Sequence, residues 1–193
     1  MWNYKEKVVN RENSARYYNV FKELVRKDKA PVILYGIQRT EQRYKNFFSK
    51  DGHSYAYSGV NNKSVGWPPE LQELAEVAVS IIPLRKEPDI KDGINPLEFN
   101  SAIVNYYPDG THYIGAHRDR DAMEGYIVSF SFGATRKFVI RTNDKKIVET
   151  IALENGSAVV MMPGMQPSYV HEIAKDPKIT AGRINVTLRS HAT

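Results

Sequence analysis

The stretch GAHRDRD, Gly115 to Asp121, sets a histidine and two aspartates on alternate residues, with arginines between them. Side chains of an extended strand alternate between faces at a rise of about 3.3 Å per residue, so His117, Asp119 and Asp121 are expected on one face and Arg118 and Arg120 on the other. A face of that kind can hold a cation. Two further stretches carry polar residues at strand spacing. SYVHEI contains His171, and RINVTLR puts Arg183, Asn185, Thr187 and Arg189 opposite Ile184, Val186 and Leu188. In IVNYY the same period lets Ile103, Asn105 and Tyr107 point one way. Each piece also has a plain structural reading: a polar strand end, a hydrogen-bonded core histidine, a sheet with one wet face.

Taken together, His117, Asp119 and His171 offer two imidazoles and one carboxylate. On octahedral Fe(II) that donor set leaves three adjacent positions open, enough for a bidentate co-substrate and O2. Hydrolytic zinc accepts the same donors. The arginine strand favours the first chemistry, because 2-oxoglutarate has two carboxylates to hold and guanidinium forks hold carboxylates bidentately.

The elements that must position these groups follow from pattern. The 193 residues suffice for one domain with a real core. With 41% hydrophobic and 25% charged residues and no membrane-length apolar run, the composition is that of a globular protein. The first residues lack a signal-peptide pattern, from which an intracellular protein is expected. Zero cysteines exclude disulfides, thiolate zinc sites and a cysteine nucleophile, so a metal must sit on histidine and carboxylate ligands. A net charge of +5, from 27 basic against 22 acidic residues, is compatible with a polyanionic partner.

Helical signals sit early and strand signals late. NSARYYNVFKELVRK predicts a helix capped at Asn13 or Ser14, packing through Tyr17, Phe21, Leu24 and Val25. PPELQELAEVAVSII predicts a second, opened by Pro68 and Pro69 and packing through Leu71, Leu74, Ala75, Ala78 and Ile82. From residue 100 onward, seven short runs rich in Val, Ile, Tyr and Phe predict antiparallel strands of a sandwich or jelly roll.

The combined pattern of NSAIVNYYPDGTHYIGAHRDRD, SFGATRKFVIR, GSAVVMM and RINVTLR, with SYAYSG upstream, resembles the AlkB-like Fe(II)- and 2-oxoglutarate-dependent dioxygenases, near their DNA-repair demethylase members, over roughly residues 31 to 190. The resemblance implies a mostly β chain with flanking helices: a single domain over 1–193, with N-terminal helices and a nucleotide-recognition segment in 1–99 and a double-stranded β-helix catalytic core in 100–193. It implies iron on His117, Asp119 and His171, and 2-oxoglutarate contacted by Asn105, Tyr107, Arg183, Asn185 and Arg189, with Arg183 at the distal carboxylate and Arg189 near the metal-bound end. Asp121 matches an acidic position facing the substrate base. SYAYSG implies Tyr55, Tyr57 and Ser58 as pocket walls, Tyr57 stacking a flipped base against the His117 imidazole. ILYGIQRTEQR is similar to a hairpin that wedges into duplex DNA, which nominates Leu34 or Tyr35 as the wedge and Arg43 as a strand contact. Val170 and Leu188 depart from the aromatic residues usual there and trim the pocket wall.

The expected function is therefore oxidative demethylation of N-alkylated bases in methylated DNA, with Fe(II), 2-oxoglutarate and O2, by a monomer with no membrane association. RNA or protein substrates of the same fold, or a non-catalytic nucleic-acid-binding module, are the alternatives. An intact triad with both arginines speaks against the last.

Overall fold

A computed structural model describes residues 1–34, 36–57, 60–83, 95, 97–119 and 125–190. Two antiparallel sheets form its body. The larger has the order β1 (Trp2–Lys5), β12 (Ser157–Met161), β9 (Ile127–Gly133), β14 (Arg183–Arg189), β7 (Ser101–Tyr107) and β4 (Tyr44–Ser49). The smaller has β11 (Ile147–Leu153), β10 (Arg136–Thr142), β13 (Tyr169–Ile173) and β8 (Ile114–His117). The architecture is a jelly roll, in which two sheets close over each other and leave few open edges.

The alternation within β14 explains both sides of the larger sheet. Ile184, Val186 and Leu188 point outward, where they pack with Val104, Phe130 and Val160 against the helices α1 (Arg11–Leu24) and α2 (Pro69–Ile81). Phe21, Leu71 and Leu74 are fully buried in that layer, each worth about 1.5–3 kcal/mol of transfer free energy. The other face of β14 looks between the sheets. There a second core of Ile127, Phe138, Ile140, Ile151, Leu153 and Met161 packs beside the polar residues, and Phe138 and Met161 line one cavity with them.

Several expectations change. Helix α1 is capped by Asn10, whose side chain accepts from the Asn13 backbone N–H at 2.8 Å, three residues before Asn13 and four before Ser14. An asparagine outside the apolar period is free to turn its amide onto the first helical turn. Leu24 is 36% exposed at the helix end, while Val25, already extended, turns back into the core at 4%. The early chain is not mainly helical: β1 and β4 join the larger sheet, and β2 (Pro31–Leu34) with β3 (Ile37–Thr40) and β5 (Tyr55–Tyr57) with β6 (Val60–Asn62) make two hairpins. These strands are short and lack clean alternation; β1 and β4 are defined by distant partners, the other four by their own hairpin mates. The wet-face reading of RINVTLR also fails, since all seven of its residues are buried.

Candidate active site

Strand register creates the centre of the site. His117 at the end of β8 stands directly opposite His171 of β13, with ring centroids 4.4 Å apart and planes tilted by 60°. Asp119 lies two residues beyond the end of β8, outside the regular strand, yet its Oδ1 is 3.9 Å from His117 Nε2 and its Oδ2 is 3.7 Å from His171 Nε2. Those separations are too long for hydrogen bonds and leave room for a shared ion. One ligand atom from each residue lies within 4.8 Å of the other two.

Neighbours prepare these groups for that role. His117 Nδ1 faces the Gly115 carbonyl at 2.9 Å, which as a hydrogen bond puts the proton on Nδ1 and leaves Nε2 with a free lone pair. Burial, then the neighbouring His171, holds the His117 imidazole well below the ordinary histidine range; burial does the same to His171, reinforced by Arg189. Both are neutral at pH 7, the form a metal needs. Gln166, in the short helix α3 (Met165–Ser168), accepts from the Asp119 backbone N–H at 2.9 Å, and Arg189 Nη2 donates to Asp119 Oδ1 at 2.6 Å. The donor set of two neutral imidazoles and a hydrogen-bonded carboxylate fits Fe(II).

From this cluster a cavity runs between the sheets to Arg183 and Tyr107. Arg183 is 1% exposed; its Nη2 donates to Ser131 Oγ at 2.9 Å, while Nε and Nη1 are buried without a hydrogen-bond partner among the described residues. Burial pushes this guanidinium down to about 10, with Arg136 adding to the effect and Tyr107 opposing it. Two unsatisfied N–H donors on a buried fork match an incoming carboxylate. Asn105 donates to Asn185 Oδ1 at 3.0 Å and accepts from Arg43 Nε at 2.7 Å; Asn185 in turn donates to Ser129 Oγ at 2.8 Å. The row Arg43, Asn105, Asn185, Ser129 is thus one fixed polar wall.

Beyond the metal cluster a cleft of about 630 Å³ opens between β3 and β8, lined by Val32, Arg39, Gln42, Tyr113 and Ala116. His117, Arg43 and Ile114 line both cleft and cavity. Arg43 is therefore not the exposed strand contact that its sequence position suggests. It is 8% exposed, with Nη2 3.5 Å from Glu41 Oε1, because the β3–β4 connection turns it inward. Arg118 donates to Asn143 Oδ1 at 2.5 Å. Tyr35, Ser58, Arg120 and Asp121 lie outside the described residues, and for Leu34, Tyr55 and Tyr57 the description covers the backbone alone.

Sequence reasoning missed Gln166, the buried Lys45–Glu41 pair at 2.8 Å and Arg136. Arg136, 1% exposed, reaches the carbonyls of Asp109, His112 and Ala174 at 2.8–3.1 Å and so ties the loop before β8 to the end of β13. Gly110 in the same loop passes so near Asp176 that a Cβ would sit 1.7 Å from its carbonyl oxygen. The period of two in RKFVI, which aligns Arg136 with Phe138 and Ile140, was the available signal.

A jelly roll with two histidines and a carboxylate at one end and a buried arginine fork at the other defines a metal-dependent, carboxylate-binding class of enzyme. A family model described as the 2OG-Fe(II) oxygenase superfamily matches residues 12–189, so the chain belongs to that superfamily, whose members use Fe(II), 2-oxoglutarate and O2. AlkB-type proteins are among its relatives in both sequence and fold. It is 29% identical over 171 residues to the human DNA oxidative demethylase ALKBH2, covering 83% of this chain and 60% of that protein. It is 26% identical to an RNA replication protein of Grapevine virus A, covering 79% of this chain and 8% of that one. Among solved structures, OsALKBH1 superposes with a TM-score of 0.64 at 16% identity over 97% of both chains. A Trichoplax adhaerens prolyl hydroxylase does so at 0.63 and 13% identity, over 99% of this chain and 83% of that one.

Proposed function

We propose that the chain is an oxidative demethylase of N-alkylated nucleobases in DNA, with iron on His117, Asp119 and His171 and 2-oxoglutarate on Asn105, Tyr107, Arg183, Asn185 and Arg189. One observation carries this reading. His117 lines both the polar cavity and the open cleft, so a single metal would meet the co-substrate on one side and a base on the other. Iron with 2-oxoglutarate and O2 supplies the oxidation that turns an N-methyl group into formaldehyde, leaving succinate and CO2.

The residues of the chain bind, orient and exclude water. The Arg183 fork receives the distal carboxylate, braced by Ser131 and stacked on the Tyr107 ring 5.4 Å away. Arg189 and Gln166 keep Asp119 in one orientation, and the burial of Asp119 and His171 at 6% and 5% keeps bulk water from the reacting face. On the hairpin beside the cleft, Ile33 and Ile37 are 51% and 56% exposed. Apolar side chains held in solvent there support a duplex-opening role in which Leu34 or Tyr35 is the wedge. In this reading Tyr55, Tyr57, Ser58 and Asp121 complete the base pocket.

The name of the human relative supports DNA, although this chain spans about 60% of that protein's length. RNA is a second reading, favoured by the similarity to the Grapevine virus A replication protein. Formaldehyde release from methylated DNA and RNA oligonucleotides of matched sequence tests both. Turnover is expected on DNA only with Fe(II) and 2-oxoglutarate, and abolished by His117→Ala, Asp119→Ala or His171→Ala. Full activity with zinc and no 2-oxoglutarate would overturn the reading, and a preference for the RNA oligonucleotide would select the second.

A further inference from the structure

Outside the cavity and cleft, the end of α1 and the β4–β7 edge of the larger sheet enclose a separate concavity of about 260 Å³, lined by Lys22, Arg26, Lys27, Tyr44, Tyr106 and Pro108. Its floor is aromatic: the half-buried Tyr44 and Tyr106 rings lie 6.3 Å apart and 36° from parallel. Its rim is cationic. Arg26 pairs with Asp28 at 2.6 Å and Lys27 with Glu23 at 3.2 Å, which leaves those two largely neutralised. Lys22 and Lys29 have no carboxylate partner among the described residues; their ammonium groups stand 5.7 Å over Tyr106 and 5.5 Å over Tyr44.

This concavity adjoins the substrate cleft through a thin wall. Tyr44 follows Arg43, a cleft residue, on the opposite face of the chain. Tyr113 N–H donates to the Gln42 carbonyl at 3.0 Å, both being cleft residues, while His112, next in sequence, has its ring 6.1 Å from Tyr44. Lys29 leads through Ala30, whose carbonyl accepts from Glu41 N–H at 2.9 Å, into β2 on the side wall.

We propose that this concavity is a second contact for the substrate strand, which takes a nucleotide flanking the one in the cleft: its base on Tyr44 and Tyr106, its phosphate on Lys22 and Lys29. The proposal rests on the nucleic-acid reading of the cleft. Single-stranded nucleic acid is held by this combination of stacking rings and unpaired cations, largely without regard to sequence, since every base offers a π face and every nucleotide a phosphate.

The test measures affinity for an unmethylated single strand of about 15 nucleotides, with Fe(II) and 2-oxoglutarate present and oxygen absent, beside turnover of a methylated mononucleotide, which has no flanking nucleotide to place in the second site. Lys22→Gln/Lys29→Gln is expected to weaken the long strand at least tenfold and to reduce the salt slope by about 1.4, that is, about 0.7 for each of two single-strand phosphate contacts. Mononucleotide turnover should stay unchanged. Tyr44→Leu, which keeps the apolar volume, should weaken the long strand about tenfold with the salt slope intact. Unchanged long-strand affinity in both variants, or an equal loss on long and short substrates, would overturn the proposal. If wild-type protein turns over no methylated nucleic acid yet binds the long strand through these lysines, the demethylase reading fails and the strand contact stands.

Discussion

Arg189 Nη2 and Asp119 Oδ1 lie 2.6 Å apart in side chains that are 5% and 7% exposed, so the carboxylate of the candidate metal site is also half of a buried ion pair. Removing one partner of such a pair strands the other charge without solvent. Arg189→Ala is therefore expected to destabilise metal-free protein by about 3 kcal/mol or more. A divalent ion would neutralise the stranded carboxylate, so Mn(II) should raise the stability of the variant more than that of the wild type. Denaturant unfolding with and without Mn(II) checks this; equal stabilisation of the two proteins would mean that the ion does not reach Asp119.

The open donors of Arg183 give a second expectation. Arg183→Ala should raise the 2-oxoglutarate concentration needed for half-maximal rate about 30-fold, corresponding to about 2 kcal/mol for a lost charge-assisted pair. Arg183→Lys keeps the charge but loses the fork and should recover only part of the affinity. Initial rates across a 2-oxoglutarate series distinguish the three proteins.

Arg43 is expected to act inside the cavity and not on a phosphate. Arg43→Ala removes the 2.7 Å hydrogen bond to Asn105 and leaves that buried carboxamide oxygen unpaired. The half-saturating 2-oxoglutarate concentration should rise, while the salt dependence of strand binding stays that of the wild type. A slope reduced by about one contact would return Arg43 to the strand.

The two depressed histidines set a pH dependence. In the unfolded chain both titrate near 6.5, whereas burial holds His117 and His171 lower in the folded protein. Between those values the unfolded state binds more protons, so stability rises with pH across that window and falls as pH drops below about 6.5. Thermal unfolding of metal-free protein from pH 8 to pH 5 should show this loss, and it should be shallower in His117→Gln, which has one such group fewer.

The periodicity of the later strands already contained most of the β framework. RINVTLR, SAIVNYY and the other late runs form strands where their alternation puts them, because a period of two commits each side chain to a face before any partner is known. The same local rule could not tell a polar face in solvent from one lining a cavity. Only the second sheet, laid over Arg183, Asn185, Thr187 and Arg189, made that face an interior. The cross-strand register decided more. His117 and His171 are 54 positions apart in the chain and become direct neighbours because β8 pairs with β13, while Asp119 reaches them from beyond the strand end. The inward turn of Arg43 likewise depends on a distant segment, through its hydrogen bond to Asn105 of β7, whereas the Asn10 cap is a local contact that the apolar period does not mark. Residue types and spacing thus determined which chemistry the chain can carry. The pairing of strands far apart in sequence determined where it is carried, since non-local packing overrides weak local propensity wherever a segment is too short to state its own pattern.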